Sequence, residues 1–325
     1  MIISRTPFRM TLGGGGTDLP SFYQKHGGFV VSMAIDKYCY ITFKPNVFDN
    51  TVILRYSENE KVKNVSELKN TRAREVLSRH QITSAEICSI ADVPTNTGLG
   101  SSGSFLVGMI NTLREFKRIS RHPTEIAEEA CDIEINKLQE PVGKQDQYIA
   151  SYGGLKTLTI DSYGNVCVKN VDISHTNFSL FLSNIQVYYL NVQRNASDVL
   201  QEQSKMKGNT EDLLLKIKDY GYKTLEIIER QNFDDYGILM HEYWELKKKL
   251  SSNISVNSFD TLYDNLRKQY NVLGGKIIGA GGGGFFMVYV YKNHKKLEEY
   301  MNSIGYTKLE FAVDYSGSKI LGNYL

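Results

Sequence analysis

The stretch Pro94-Thr-Asn-Thr-Gly-Leu-Gly-Ser-Ser-Gly-Ser104 runs straight into Phe105–Phe116, whose apolar residues at 105, 106, 109, 110, 113 and 116 keep helical spacing. A Gly/Ser loop that opens a helix offers unpaired backbone N–H groups and the positive end of the helix dipole, which together suit an anion. Gly98, Gly100 and Gly103 would let the backbone approach phosphate oxygens closely, and the hydroxyl of Ser101 or Ser102 adds a donor or a metal ligand. Such a loop is also an ordinary connection, so the weight falls on its companions. Glu134 lies late on the next helical pattern, and Asp146 follows twelve residues on, beyond a Pro-Val-Gly break. Two carboxylates so placed suit different tasks, one on a metal and one on an acceptor hydroxyl. Arg9, from a separate strand, could balance their charge. These are the parts that phosphoryl transfer asks for.

The elements that must position these residues are legible in outline. Residues 1–12 read as a strand broken by Pro7 and end in the turn Gly13-Gly-Gly-Gly-Thr-Asp18. Phe29–Ile35 and Tyr38–Phe43 read as paired strands around Asp36-Lys37, and Thr51–Tyr56 continues that sheet. Residues 66–80 form a polar helix whose Arg72, Arg74 and Arg79 read as a solvated face. Ala85–Ile90 is a strand leading to the Gly/Ser loop, and Pro123 starts a helix to about Leu138. Gly154–Ile160 and Val166–Val171 make a hairpin. Beyond a boundary near 175–183 come a strand at 185–190, helical patterns over 197–230, 234–250 and 258–270, the glycine-rich run Lys276–Gly284, a helix near 294–304 and a final strand at 308–314. Strands and helices mix without a βαβ period, which points to two α+β domains, residues 1–178 and 179–325, rather than a doubly wound sheet.

Composition narrows the function classes. The chain has 325 residues, 41% hydrophobic and 23% charged, with a net charge of +2, which gives no electrostatic reason to expect nucleic acid or a membrane surface. No apolar run reaches the length of a bilayer span, and the N-terminus lacks the pattern of a signal peptide. Cys39, Cys88, Cys131 and Cys167 are scattered without metal-ligand spacing and read as reduced core thiols, so the expectation is a cytoplasmic protein without structural zinc. The six histidines show no ligand spacing either.

Competing motifs fail. There is no G-x-x-x-x-G-K-[ST], H-E-x-x-H or G-x-S-x-G, and the glycines at 279–284 are followed by a strand-like rather than a helical segment. Three motifs taken in order instead resemble those of the GHMP kinases, the superfamily of galactokinase, homoserine kinase and mevalonate kinase. They are Pro7–Asp18 on the substrate side, Pro94–Ser104 around the ATP phosphates, and Lys276–Gly284, a loop closing over the site. The resemblance covers nearly the whole chain. It implies a ribosomal-protein-S5-domain-2-like N-terminal domain, a ferredoxin-like C-terminal domain, and ATP with Mg2+ as cofactors.

Carried over residue by residue, Asp146 matches the family's catalytic aspartate, and Arg9 stands where galactokinases carry a basic residue beside it. Ser102 and Glu134 match the magnesium ligands. Pro94, Thr97, Gly98, Leu99, Gly100, Ser101, Ser102, Gly103 and Ser104 match the nucleotide-binding motif. Gly15, Gly16, Thr17, Asp18, Lys144, Gly281 and Gly282 fall on the substrate side. Galactokinases carry Glu-His where Gly15 and Gly16 stand, which removes a carboxylate and leaves room. The run Gly13–Tyr23 with Gly143–Tyr148 is similar to the bacterial D-glycero-D-manno-heptose 7-phosphate kinases and to the kinase part of fucokinases. The absence of a fused transferase favours the former, which phosphorylate the anomeric hydroxyl to a 1,7-bisphosphate for nucleotide-activated heptose in surface polysaccharide. A fucokinase-like sugar-1-kinase and a non-catalytic sugar-sensing regulator are the alternatives. The implied partners are a sugar phosphate and ATP, for a monomer or homodimer. A phosphorylated acceptor also needs a cationic pocket, for which Lys25, His26, Arg72, Arg74 and Lys144 are candidates.

Overall fold

One 18-residue strand organises the larger of two sheets. The computed structural model describes residues 1–191, 210–250, 257–279 and 283–325, and its β2 runs unbroken from Gly28 to Pro45. The turn expected at Asp36-Lys37 is absent. Opposite Pro7-Phe8 of β1 (Ile2–Gly13) the register skips from Tyr38 to Ile35, so the two polar residues are taken up as a bulge. Pro7 sits at this irregularity, where a missing N–H costs the ladder little, and β1 is not broken there.

β1 covers one edge of β2, and the other edge is shared. Gly28–Met33 pairs with β6 (Leu155–Ile160), while Cys39–Pro45 pairs with β5 (Ala85–Ala91). β7 (Val166–Asn170) completes the β6 hairpin, and β3 (Val52–Arg55) and β4 (Asn59–Val62) extend the sheet beyond β5. The strand expected at 308–314 shrinks to β11 (Thr307–Lys308) and one bridge from Val313 to Ile35. Asp314 redirects the chain there, since its carboxylate accepts from the Ser316 and Gly317 N–H groups and pairs with Arg5. The last strand, β12 (Lys319–Asn323), then lies antiparallel to Ile2–Arg5 of β1.

On this sheet pack α2 (Thr71–Arg79), α3 (Ser101–Lys117), α4 (Pro123–Cys131) and α5 (Gln145–Tyr152), with the short α1 (Pro20–His26) after the first glycine turn. Asn70 caps α2 by accepting from the Ala73 N–H, and Pro123 opens α4 as its fixed φ favours. Beyond Cys131 the helix widens into a π-helical stretch, Asp132–Lys137. α3 buries Leu106, Val107, Ile110 and Leu113 against β1 and β2, which fixes where its N-terminus points.

α6 (His175–Ser183) leads to the second sheet, in the order β11, β8 (Ile185–Tyr189), β10 (Phe285–Val290), β9 (Val272–Ile277), all antiparallel. Around it lie α7 (Thr210–Arg230), α8 (Phe233–Lys247), α9 (Asn257–Gln269) and α10 (His294–Ser303). The part of the expected 197–230 helix before Thr210 lies outside the described residues. Trp244, Phe259, Tyr263 and Phe286 form an edge-to-face aromatic core between α8, α9 and β10. Burial of such a side chain contributes about 2 kcal/mol. Among the described residues no helix is long and apolar enough to cross a membrane. Cys39 and Cys131 are buried thiols, but Cys167 is exposed on β7 rather than in the core.

Candidate active site

A cavity of about 370 Å³ opens where β1, the N-termini of α3 and α5, and the end of β9 converge. Arg9 reaches it from β1, with only 5% of its surface exposed. Its Nε donates to Asp146 Oδ1 at 2.7 Å, and its Nη1 donates to the Gly98 carbonyl at 2.5 Å. A buried guanidinium needs such partners, because leaving it unpaired costs several kcal/mol, about 3–5. Asp146 stands in the first turn of α5, where the helix dipole favours a carboxylate. Since Arg9 occupies Oδ1, Oδ2 is the oxygen left for another donor.

The Gly/Ser loop is held on both sides. The Arg9 N–H donates to the Leu99 carbonyl at 3.0 Å, and the Phe285 N–H donates to the Thr97 carbonyl. Gly98, at φ +84°, lies so close to Ile278 that a Cβ there would sit 2.2 Å from its carbonyl oxygen. The second and third glycine motifs thus meet backbone to backbone. Gly98, Gly100, Ser101 and Ser102 line the cavity at the start of α3. Asn96 lines it as well, whereas Pro94, Leu99, Gly103 and Ser104 do not. Pro94 is exposed, with its carbonyl accepting from Thr97 Oγ1, and Leu99 is fully buried in the core. Ser104 Oγ donates to the Pro7 carbonyl at 2.8 Å, and Gly103 lets α3 close onto the Asp146 Cβ.

Glu134, on the π-helical stretch, is fully buried. Its Oε1 accepts from Arg72 Nε at 2.8 Å, and its Oε2 accepts from the Gln147 side-chain amide. Arg72 also pairs with Glu140 and lines the cavity, so the expected solvated face of α2 fails at this residue. Burial pushes the Glu140 carboxyl up, opposed by the Arg72 charge. Arg74 is spent on the Leu68 carbonyl, and Arg79 pairs with Asp132. Among the described residues no three His, Cys, Asp or Glu side chains gather as a metal site.

Gly15, Gly16 and Asp18 also face the cavity. Asp18 Oδ1 accepts from the Gly16 N–H and from the Gln145 side chain, and Oδ2 accepts from the Gln145 N–H at 3.1 Å. Burial raises the Asp18 carboxyl, with those N–H groups working against it. Asp18 therefore braces the glycine turn to the start of α5, while Gln145 extends the brace to Thr11 Oγ1 at 2.6 Å. Thr17 is turned inward, its hydroxyl within hydrogen-bonding distance of the Gly14 and Phe29 carbonyls. Gly281 and Gly282 lie outside the described residues.

Of the five expected cations Arg72 alone lines the cavity, already paired with Glu134 and Glu140. Lys144 points to the other face of α5, with Nζ on Glu128 and on the Gly164 carbonyl at 2.6 Å, so adjacency to Gln145-Asp146 does not bring it to the cavity. Lys25 and His26 pair with Glu211. Two lysines that the sequence reading passed over stand in the cavity wall instead, Lys247 at the end of α8 and Lys276 on β9. Lys144→Met should therefore leave kcat/KM for the acceptor within about threefold while costing about 1–2 kcal/mol of stability from the lost charged hydrogen bonds, read by urea denaturation.

Residues 64–154, which hold the Gly/Ser loop, Glu134 and Asp146, match the family model of the GHMP kinases N terminal domain. The chain carries a GHMP kinase N-terminal domain. It is 27% identical over 331 residues to the D-glycero-alpha-D-manno-heptose 7-phosphate kinase of Campylobacter jejuni, covering 94% of this chain and 97% of that one. It is 26% identical to the L-fucokinase/L-fucose-1-P guanylyltransferase of Bacteroides fragilis, covering 88% of this chain but 34% of that larger protein. In fold it superposes with a TM-score of 0.81 on a D-glycero-D-manno-heptose 1-phosphate kinase from Bacteroides thetaiotaomicron, at 20% identity and over the full length of both chains. The GHMP kinase fold is thus present from end to end, and the chain is an ATP-dependent phosphotransferase.

Proposed function

We propose that this GHMP kinase transfers the γ-phosphoryl group of ATP to the anomeric hydroxyl of D-glycero-D-manno-heptose 7-phosphate. The observation that carries the reading is the Arg9–Asp146 pair, set in one cavity with the N-terminus of α3 and the Gly98–Ser102 loop. The loop and helix end receive the triphosphate. Asp146 Oδ2 accepts the O1–H hydrogen bond and orients O1 for in-line attack. As the O1–Pγ bond forms and the bond from Pγ to the β,γ-bridging oxygen breaks, the hydroxyl proton passes to Oδ2 and ADP leaves. An aspartate is a weak base, with a reference pKa of about 3.9, but a loose transition state asks mainly for alignment and charge balance. Arg9 supplies the balance by holding Oδ1.

Mg2+ fits the donors in kind: the Ser102 hydroxyl and the Glu134 carboxylate are hard oxygen ligands, and two such protein ligands suffice when phosphates supply others. When bound, it would neutralise charge on the triphosphate. Arg72 is the cation that Glu134 holds, and a metal ion taking that carboxylate would compete with it. Arg72→Met should therefore lower the Mg2+ concentration for half-maximal rate by about tenfold, the scale of a charged hydrogen bond to a buried carboxylate. A Mg2+ titration at fixed ATP reads this.

The heptose acceptor is supported by the Campylobacter jejuni relative, and the fucokinase relative supplies the second reading. Incubation of the purified chain with MgATP and, in parallel, D-glycero-D-manno-heptose 7-phosphate, L-fucose and D-galactose separates them, with 31P NMR locating the new phosphate. Turnover confined to L-fucose, or a new phosphate at a position other than C1, would overturn the heptose assignment.

A further inference from the structure

Among the described residues the two lysines in the cavity wall are bonded to no carboxylate. Lys247 is 6% exposed and Lys276 is 3% exposed, so both ammonium groups are largely withdrawn from water. Among the described residues neither forms an ion pair. Lys247 Nζ donates to the Gly279 carbonyl and Lys276 Nζ donates to the Leu12 carbonyl at 2.7 Å. The Tyr243 ring lies beside both, with its centroid 5.9 Å from Lys247 Nζ and 4.8 Å from Lys276 Nζ. Each ammonium has three donors, so one carbonyl apiece leaves donors unspent. Every other cation in the cavity wall already has its anion, Arg9 in Asp146 and Arg72 in Glu134 and Glu140. Two buried positive charges side by side are costly unless something negative joins them.

We infer that Lys247 and Lys276, with the Tyr243 ring beside them, form the receptor for a phosphate carried by the acceptor substrate, and so select phosphorylated over neutral acceptors. The inference rests on the kinase reading given above, and it assigns the acceptor's chemical class rather than the sugar. The two lysines arrive from different elements, α8 and β9, and line the same cavity as Gly15, Gly16 and Asp18, with the Asp18 charge felt at Lys247. Gly15 lies against this group, since a Cβ there would sit 3.7 Å from the Tyr243 hydroxyl. A phosphate, with charge near −2 and three free oxygens, can take donors from two ammonium groups at once.

Protonation follows from the same placement. Burial, aided by the Arg9 charge and opposed by Asp18, brings the Lys247 ammonium down to about 8, and burial with the Lys247 and Arg9 charges holds Lys276 well below the ordinary lysine value. Below that range Lys247 carries its charge, and above it the charge is lost, so affinity for an anionic acceptor falls as pH rises through about 8. Arg9 from β1, Asp18 from the glycine turn, Tyr243 from α8 and Lys276 from β9 are the charged and titratable groups that face it.

The test compares kcat/KM for D-glycero-D-manno-heptose 7-phosphate with that for the unphosphorylated heptose, using the full chain with MgATP. Loss of a charged hydrogen bond should make Lys247→Met lower the phosphorylated-to-neutral ratio by about tenfold or more, with Lys247→Arg retaining part of it. The KM of the phosphorylated acceptor should climb above pH about 8 in the wild type and lose that step in Lys247→Met. Lys276→Met, measured alongside, keeps the question open should either variant fold poorly. An unchanged ratio, or a loss seen equally on both acceptors or mainly in the KM of ATP, overturns the inference and places the lysines on the nucleotide's phosphates. A wild type that prefers another phosphorylated sugar, with that preference lost in Lys247→Met, refutes the heptose reading and supports this one.

Discussion

Asp146→Asn is expected to lower kcat by about a thousandfold, or about 4 kcal/mol of transition-state stabilisation, while the KM values for ATP and acceptor move by less than about threefold. The substitution keeps the shape of the side chain. An asparagine oxygen can still accept from Arg9 Nε, so the link between β1 and α5 survives and the fold with it. What disappears is the negative oxygen that takes the acceptor proton. Steady-state kinetics on a variant with unchanged melting temperature checks this, and turnover within tenfold of wild type would remove Asp146 from the reaction. A raised KM with kcat intact would reassign the residue to binding.

Gly98→Ala should raise the KM for ATP by about tenfold or more and lower stability by about 1–3 kcal/mol, because two independent costs meet at one atom. The residue stands at φ +84°, and its added methyl would press on the Ile278 carbonyl that docks the loop. Gly305 provides the control. It has φ +87° but nothing within 4 Å of a Cβ, so Gly305→Ala carries the backbone strain without the collision. The difference between the two variants, in thermal denaturation and in ATP titration, isolates the contact between the glycine motifs. Equal behaviour would mean that this contact does not shape the phosphate loop.

Periodicity and glycine clustering made most of this molecule legible in its sequence. The helix after Ser104, the strand at 85–91 and the hairpin after Gly154 stand where apolar spacing put them. What failed did so for identifiable reasons. Asp36-Lys37 looks like a turn because polar pairs usually are one, yet the long strand carries it as a bulge held by Ala312. Lys144 adjoins Gln145 and Asp146, but neighbours on a helix start diverge by about 100° per residue, so adjacency says nothing about a shared face. Arg72 lies in a polar helix whose charges read as solvated, and only the fold reveals two carboxylates waiting for it.

Lys247 is the instructive omission. It opens the run Lys247-Lys248-Lys249, which reads as surface. The missed signal is its phase, for Tyr236, Met240, Tyr243 and Trp244 are buried on α8 and Lys247 continues that stripe. An ionisable residue in phase with an apolar helix face is a stronger pointer to a site than a cluster of charges. Lys276 gave a similar hint, as the one charge within an otherwise apolar and glycine-rich strand, Val272–Ile277.

The pairing of β12 with β1 has a consequence for how the chain is made. The strand that bears Arg9 has its outer edge at Ile2–Arg5, and that edge finds its partner 319–323 about three hundred residues later. At ribosomal speeds of about 5–20 residues per second, the edge waits at least about fifteen seconds for its neighbour. During synthesis the first sheet is thus an open template, exposed to pairing with other nascent chains. Removing the last few residues, far from any glycine motif, would make that transient state permanent.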